Sequence, residues 1–183
     1  MKGIMFSLNM HLAIREGRKT QTRRVIKELK EPDKWVFAGT TFEGYAFGNS
    51  AAKQIIAVQP RYRVGEVVYI KEAYYQHGHF EGRCFVPSLA KDVLYNIPEI
   101  IPISRRQVGW HKRSPLFMPA WAARDFIEIT GVRPERLNCM TEDDAKAEGV
   151  IPMTFCIPGA KHYMTPFKEL WDSINGKKYP WNS

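Results

Sequence analysis

The sequence predicts an α+β protein with many short strands and few, short helices. Glycine and proline account for 13 and 12 of the 183 residues and interrupt the chain throughout, which keeps its elements short. Runs of aromatic and β-branched residues lie between these breaks, whereas helical start and stop signals occur at only a few places. These two observations favour strands over helices along most of the chain.

The first half of the chain is predicted to hold one helix among several strands. Gly3 to Ser7 is a first strand, and Asn9 to Glu16 is a short helix that Gly17 ends. The chain then extends again over Thr22 to Ile26. Aromatic and β-branched runs predict further strands, with a turn near Gly39 between the first two: Trp35 to Ala38, Thr41 to Phe47, and Val67 to Tyr75.

The second half combines two strand candidates with two helices. Asp92 to Ile97 is the weaker strand candidate, and Arg124 to Val132 alternates well, with Phe126 opposite in phase to Ile127 and Ile129. The helices carry their own start signals: Thr141 with Asp144 as a capping box, and Thr165 before Pro166 as an N-cap with a first-turn proline. Both helices end in glycine, at Gly149 and Gly176, and the second places one apolar stripe on its surface: Phe167, Leu170, Trp171 and Ile174.

The composition favours a polyanionic partner. A chain of this length with 44% apolar residues has enough material for one domain with a real core. Lysine and arginine number 27 against 19 aspartates and glutamates, a net charge of +8. The electrostatic field of such a positive charge raises the affinity of a protein for phosphate backbones, but it says nothing about the recognition of bases or about catalysis.

Cysteine use and hydropathy favour a cytoplasmic protein without membrane contact. Three cysteines without a C-x-x-C pair predict neither a disulfide framework nor a zinc site, so a reducing compartment fits best. The N-terminus lacks a signal-peptide core, and no apolar run reaches the roughly 20 residues that a membrane helix needs. Glycine-rich phosphate loops and dinucleotide fingerprints are missing from the sequence, so no cofactor is expected.

The densest polar cluster is the segment from Gly17 to Arg24, which offers four cations and two hydroxyls. Loops of this kind bind anions, although cations just past a helix C-terminus are also favoured by the helix dipole alone. A turn would bring the ammonium of Lys19 and the hydroxyl of Thr22 together, whereas a regular strand would point them to opposite faces. Glu148 lies in the last turn of its helix, where the dipole disfavours a carboxylate and makes it a better proton donor, or else it is an ordinary surface glutamate.

Several segments together resemble the ASCH domain family of the PUA-like superfamily, and its phage-encoded members in particular. Gly17-Arg18-Lys19 with Arg24 is similar to the Gly-x-Lys and Arg signature of the family. Tyr62 to Glu72 resembles its Gly-Asp strand, which ends in a basic residue and a glutamate. The phage pattern recurs in three more places: Phe117 to Ala122, Thr141 to Val150, and Phe167 to Asn175.

The resemblance implies a small PUA-like β-barrel with flanking short helices, as a single domain over residues 1–183. Two segments are expected to be insertions, at about residues 32–61 and 76–115. Phage members run on from an Asn-Pro-Trp segment into a closing strand, whereas here only two residues follow Tyr179-Pro180-Trp181. The closing strand is therefore expected to be absent, or the fold to be completed differently.

The resemblance also implies an activity and its residues. Characterised members bind RNA or are hydrolases, and bacterial N4-acetylcytidine amidohydrolases use a lysine, a threonine and a glutamate. Their Gly-Arg-Lys-Thr-x-Thr segment matches Gly17 to Thr22, which implies catalytic Lys19 and Thr22, and their Ala-x-x-Glu pattern implies Glu148. Lys19 would activate the Thr22 hydroxyl, Glu148 would protonate the leaving amine, and Arg24 would hold an oxyanion or a phosphate.

Three functions therefore stay open: an amidohydrolase acting on N4-acylated cytidine, a non-catalytic module that binds RNA or modified DNA, and a ribonuclease. Each implies a nucleoside or nucleic-acid partner, with RNA favoured, in a bacterial or phage-infected cell. The oligomeric state is left open. Substrate contacts are expected from four side chains: Arg24, Glu72, Arg18 and Trp110.

Two of these substrate contacts have alternatives. Glu72 would project into the mouth of the barrel, or it pairs with an arginine. Trp110 to Arg113 mixes an aromatic ring with cations, as nucleic-acid sites do, or it is a solvated loop. No metal site is expected, because His77-Gly78-His79 with Cys84 has no established ligand spacing and is better explained as a flexible glycine loop.

Overall fold

The α+β class is confirmed by a computed structural model, which describes residues 1–29, 34–42, 44–88, 92–154 and 161–181. Within these residues the strands form open sheets, and no closed barrel is formed. The chain divides into two compact units, each built from two segments. Unit 1 comprises Met1–Leu8 and Gly65–Ile129, and unit 2 comprises Asn9–Val64 and Thr130–Ser183.

The strands and helices are short, as the spacing of glycine and proline predicts. In chain order they are β1 (Gly3–Met5), α1 (Leu8–Arg15), β2 (Val36–Thr40), β3 (Tyr45–Asn49), β4 (Gln54–Val58), β5 (Val67–Lys71), β6 (Tyr74–Glu81), β7 (Cys84–Pro87), β8 (Val93–Leu94), β9 (Gly109–Arg113), β10 (Phe126–Glu128), α2 (Glu142–Ala147), β11 (Met153–Thr154), β12 (Lys161–His162) and α3 (Met164–Asn175). No described helix is long and apolar enough to cross a membrane.

The first sheet of unit 1 has β5 at its centre. β1 pairs with β5 in parallel and β10 pairs with it antiparallel, so that Ile4 lies beside Ile70 and Ile127 beside Val68. Val68 and Ile70 of the central strand are buried, and so is Ile4 of β1 beside them. The predicted strand Val67 to Tyr75 is wrong in one respect, because the chain leaves the sheet after Lys71 and begins β6 at Tyr74.

The second sheet of unit 1 has β6 at its centre. β7 and β8 pair with β6, and β9 pairs with it over Tyr74 to Gly78. The predicted flexible loop at residues 77–79 is therefore wrong, because these residues lie in a paired strand. Gly78 is required there, since a Cβ atom would lie 2.3 Å from the carbonyl oxygen of Val86 on β7. Trp110 to Arg113 is likewise not a solvated loop but most of β9.

The larger sheet of unit 2 is a meander of β2, β3 and β4, and β11 pairs with β12 in a second, two-stranded sheet. Phe47 and Val58 from the meander are buried with Leu29 in a small apolar cluster. The predicted turn near Gly39 is wrong, because Gly39 lies inside β2 at a register shift, and Thr41 and Gly44 exchange main-chain hydrogen bonds beyond it. The meander occupies the described part of the segment that the sequence predicts as an insertion at 32–61.

The helices of unit 2 begin differently from one another. The capping box of α2 is confirmed, because the Thr141 hydroxyl accepts from the Asp144 N–H and the Asp144 carboxylate accepts from the Thr141 N–H. The predicted N-cap at Thr165 is wrong, because α3 already begins at Met164. The Glu142 carboxylate instead accepts hydrogen bonds from the N–H groups of Tyr163 (2.8 Å) and Met164 (3.2 Å).

A second apolar cluster in unit 2 packs α2 against α3. Phe167 and Trp171 of α3 are buried together with Ala145 of α2, Met140 and Val150. The apolar stripe predicted for α3 is confirmed at Phe167 and Trp171 but not at its end, because Ile174 is 69% exposed. This cluster fixes the position of α2, and Glu148, the acid of the candidate site, directly follows the last residue of this helix.

Candidate functional site

The candidate site begins where α1 ends. Gly17 has a φ of +72°, a conformation that glycine adopts without strain, and it turns the chain away from the helix axis. The carbonyl oxygen of Ala13 then accepts hydrogen bonds from the N–H groups of Arg18 (2.9 Å) and Lys19 (3.0 Å). The backbone of the segment predicted from sequence is therefore anchored to the C-terminal end of α1.

The same segment also closes the C-terminal end of α2. The N–H groups of Thr20 and Gln21 both donate to the carbonyl oxygen of Ala147, at 2.8 and 3.0 Å. Lys19 and Glu148 form an isolated antiparallel bridge beside these bonds. Two helix ends, distant in sequence, are thus joined by four residues of backbone, and Lys19 faces Glu148 as a result.

Lys19 and Glu148 form a buried ion pair. The Nζ atom of Lys19 donates to the Oε2 atom of Glu148 at 2.6 Å and to the main-chain oxygen of the same residue at 2.9 Å. Each side chain is only 4% exposed. The structure therefore brings together two of the three residues that the resemblance implies for catalysis, the amine and the acid.

Gly149 allows the close approach of these two residues. Its φ of +82° lies in the left-handed region, where other residues are strained. A Cβ atom on Gly149 would lie 2.6 Å from the Cβ atom of Lys19 and 3.0 Å from that of Ala13. The glycine predicted as a helix stop is therefore also a condition for the ion pair.

Arg23 holds the second oxygen of the acid, and the sequence reasoning did not name it. Its Nη1 atom lies 3.3 Å from Oε1 of Glu148, and its Nη2 atom lies 2.9 Å from Glu135 and 3.3 Å from Asp144. The sequence could have indicated Arg23, because residues 19, 21 and 23 lie on one side of an extended segment. We call Lys19, Arg23, Glu135, Asp144 and Glu148 the ion-pair cluster.

The pKa values of two members of the ion-pair cluster are lowered. Burial lowers the pKa of Lys19 below its usual 10.5, with Arg24 and Arg23 adding to the effect and Glu148 opposing it. The pKa of Asp144 falls to about 2, because its carboxylate accepts hydrogen bonds from the hydroxyl and the N–H of Thr141 and lies beside Arg23. The amine of Lys19 is therefore easier to deprotonate than that of an exposed lysine.

The remaining candidates of this segment lie on its outer side. Thr22 is exposed, as the alternation from Lys19 requires, so the predicted turn that would place its hydroxyl on the amine is not formed. Arg24 is exposed as well. Arg18 is part-exposed, and its guanidinium contacts the carboxylate of Glu16 (2.6 Å) and the carbonyl oxygen of Gly149 (2.8 Å).

An open cleft of about 710 Å³ adjoins this segment in unit 2. Arg18 and Thr20, the neighbours of Lys19, line it, whereas Lys19, Thr22 and Glu148 do not. Its cations outnumber its acids by three to one, and an apolar surface with one tyrosine completes it; the lining residues are Gly17, Arg18, Thr20, Asp143, Lys146, Ala147, Val150, Ile151, Pro152, Lys161 and Tyr163.

Glu72 and Trp110 belong to unit 1 and have partners there. The Glu72 carboxylate accepts two hydrogen bonds from the guanidinium of Arg124, from Nε at 2.9 Å and from Nη2. This is the arginine pairing that the sequence leaves open as the alternative for Glu72. The ring of Trp110 meets the ring of His77 edge to face, with centroids 5.4 Å apart.

Comparison of the chain with protein-family models, with curated proteins and with solved structures found no match. The chemistry of the site is therefore argued from its own geometry. A buried amine with a lowered pKa, 2.6 Å from a buried carboxylate, forms a pair that can pass a proton in either direction.

Proposed function

We propose that the protein is a nucleoside- or nucleic-acid-processing hydrolase, most specifically an amidohydrolase that removes the acyl group from N4-acylated cytidine. The observation that carries this proposal is the buried contact of 2.6 Å between the Lys19 amine and the Glu148 carboxylate. A hydrolase of this kind needs a base that is neutral at working pH and an acid beside it. The resemblance to the ASCH family supplies the substrate class, a PUA-like barrel as the fold, and a bacterial or phage-infected cytoplasm as the setting.

The reaction would proceed in two steps. The ion pair first passes a proton from Lys19 to Glu148. The neutral Lys19 amine then takes the proton of the Thr22 hydroxyl, whose oxygen attacks the acyl carbon, and the carbon–nitrogen bond breaks as Glu148 gives its proton to N4, which restores the ion pair. Water then hydrolyses the acyl ester on Thr22 and releases the carboxylic acid. Because Thr22 is exposed while Lys19 is buried, substrate binding has to bring hydroxyl and amine together.

The cleft supports the same substrate class. Arg18, Lys146 and Lys161 give it a positive lining, and Tyr163 with Ile151 offers an apolar surface for a base. A nucleotide or an RNA segment matches this combination better than a neutral small molecule does. The cleft also favours a second candidate, a module that binds RNA or modified DNA without chemistry, because none of the three catalytic candidates lines it.

The proposal is tested with N4-acetylcytidine and with labelled RNA. Release of cytidine, followed by chromatography, supports the amidohydrolase, and strand cleavage supports a ribonuclease. Binding without either reaction supports the module. Exposed Thr22 offers a clean variant, because Thr22→Val keeps its shape and removes only the hydroxyl.

We expect Thr22→Val to abolish cytidine release, whereas Thr20→Val, an exposed control in the same segment, retains it. Circular dichroism checks that both variants are folded. Unchanged turnover in Thr22→Val would rule out Thr22 as the nucleophile.

A further inference from the structure

The sheet of β6, β7 and β9 in unit 1 has one face covered with aromatic rings. Phe80 of β6 and Phe85 of β7 are paired residues, and their ring centroids lie 5.1 Å apart. The ring of His111 on β9 lies 5.4 Å from Phe80 and 6.1 Å from Phe85. Both phenylalanines are only half-buried, so their rings are not sealed inside a core.

Two arginines lie against these rings. The guanidinium carbon of Arg113 is 4.2 Å from the centroid of Phe85, and that of Arg105 is 4.0 Å from the centroid of Phe80. The Phe80 N–H donates to the carbonyl oxygen of Arg105 at 2.8 Å, which ties the Arg105 backbone to the sheet. Phe117 extends the surface, 6.0 Å from Arg113 and 65% exposed. We call Phe80, Phe85, Arg105, Arg113 and Phe117 the aromatic-arginine face.

The arginines of this face differ from a stacked arginine elsewhere in unit 1. Arg124 lies 3.8 Å from the ring centroid of Tyr95, and its charge is compensated by the carboxylate of Glu72. Among the described residues, neither Arg105 nor Arg113 forms an ion pair, and the Nε–H of Arg113 has no hydrogen-bond acceptor. Both guanidinium groups therefore lie against rings, and among the described residues no carboxylate compensates their charge.

We propose that the aromatic-arginine face binds single-stranded nucleic acid. Unpaired bases stack on aromatic rings and on guanidinium planes, and guanidinium N–H groups donate to phosphate oxygens. The aromatic-arginine face supplies both aromatic rings and guanidinium groups, and the distance between neighbouring strands sets their separation. A duplex fits it less well, because its bases are already stacked on one another and present only their edges. The assignment does not depend on the hydrolase activity.

The test measures binding of the full chain to fluorescent oligonucleotides by anisotropy. Twelve-residue oligo(U) and oligo(dT) are compared with a duplex of the same length, at low and at moderate salt. Arg113→Gln is paired with Lys112→Gln, because neighbouring residues of β9 point to opposite faces and each change removes one positive charge. Phe85→Leu removes the ring and keeps an apolar side chain.

We expect Arg113→Gln to raise the Kd for single strands about tenfold and Phe85→Leu to raise it about fivefold, as loss of one stacked contact does. Lys112→Gln should change this Kd by less than about twofold, since Lys112 lies on the opposite face and loses only a distant electrostatic contribution to phosphate binding. Preference for oligo(U) over oligo(dT) would assign the strand as RNA, and the reverse as DNA.

Three results would overturn the proposal: no binding of single strands by the unchanged protein, equal affinity for duplex, or equal weakening by Arg113→Gln and Lys112→Gln. Thermal unfolding checks the fold of each variant. If Arg113→Gln does not fold, the exposed Phe117→Ala decides: a raised Kd supports the face, and an unchanged Kd refutes it.

Discussion

Arginines in the two units meet different partners. In unit 2, Arg23 lies within 3.3 Å of the carboxylates of Glu135 and Asp144, so its charge is compensated inside the protein. In unit 1, Arg105 and Arg113 lie on phenylalanine rings, with no ion pair among the described residues. A compensated arginine fixes local geometry, whereas an uncompensated one attracts an anion from outside. The first kind should therefore affect stability when changed, and the second kind should affect binding.

The largest effect is expected from Lys19→Met. Removing one partner of a buried pair leaves the other charge uncompensated, which costs about 3–5 kcal/mol of unfolding free energy. Replacing both partners, as Lys19→Met with Glu148→Leu, should recover most of this loss, because two apolar side chains need no compensation. Urea denaturation measures both variants, and equal instability of the single and the double variant would contradict a tightly coupled pair.

The pH dependence of turnover tests the proposed catalytic role of the pair of Lys19 and Glu148. Lys19 has to be deprotonated and Glu148 has to be protonated for the proposed reaction, so the rate should follow a bell-shaped pH profile. Burial lowers the pKa of Lys19, so the limb of the profile that Lys19 sets should lie below pH 10.5. A limb at pH 10.5 would show that Lys19 titrates as an exposed lysine does.

Gly149→Ala should cost about 2–4 kcal/mol, because a left-handed φ is strained for alanine and the added methyl overlaps the Cβ atom of Lys19. Gly17→Ala is the matched control, since its φ is similarly positive but nothing lies within 4 Å of the added atom. Its expected cost is about 1–2 kcal/mol of backbone strain alone. Equal losses of unfolding free energy in the two variants would mean that the Lys19 side chain moves away from the added methyl group at no energetic cost.

Thr141→Ala should cost about 1 kcal/mol at neutral pH, the usual value of an N-cap. The folded state holds the pKa of Asp144 at about 2, below the roughly 3.9 of an unfolded chain, so its stabilisation is full above about pH 4. As pH falls through 2 the carboxylate is protonated, and the difference between the two proteins should shrink. Denaturation at pH 7, 4 and 2 measures it, and a constant difference would contradict the capping box as its source.

The smallest effect is expected from Arg124→Gln, which changes the compensated arginine of unit 1. Its ion pair with Glu72 is partly exposed, so its loss should cost less than about 1 kcal/mol and leave oligonucleotide affinity unchanged. Arg113→Gln should instead weaken oligonucleotide binding, as expected for an uncompensated arginine. If Arg124→Gln weakened binding as much as Arg113→Gln, compensation by a carboxylate would not separate the two kinds of arginine.

Local patterns were enough to predict the parts of the fold that depend on neighbours in sequence. The capping box of Thr141 with Asp144 and the helix stop at Gly17 need only a few adjacent residues, and both are confirmed. The start of α3 was misplaced because its cap comes from Glu142, which lies 22 residues before Met164. Gly78 was misread as a loop residue, since the reason for a glycine there is the carbonyl of Val86 on a neighbouring strand.

The residues of the candidate site also differ in whether local sequence patterns could predict them. Lys19 and Glu148 were found through the family resemblance, because no local pattern relates two residues 129 positions apart. Arg23 was within reach of simple alternation along the segment, whereas Arg24 was chosen from the family resemblance. The strand β9 was hidden by its composition, in which Trp110 and Arg113 read as a polar loop although both lie in a paired sheet.

Unit 2 is discontinuous, with the whole of residues 65–129 between its two segments. On the ribosome, Lys19 therefore emerges well before Glu148 and stays hydrated until the second segment is synthesised. Dehydration of its ammonium has to wait for the carboxylate, so completion of unit 2 is a late event of biosynthesis. A nascent chain arrested near residue 130 would contain every described strand of unit 1, while Lys19 would still lack Glu148.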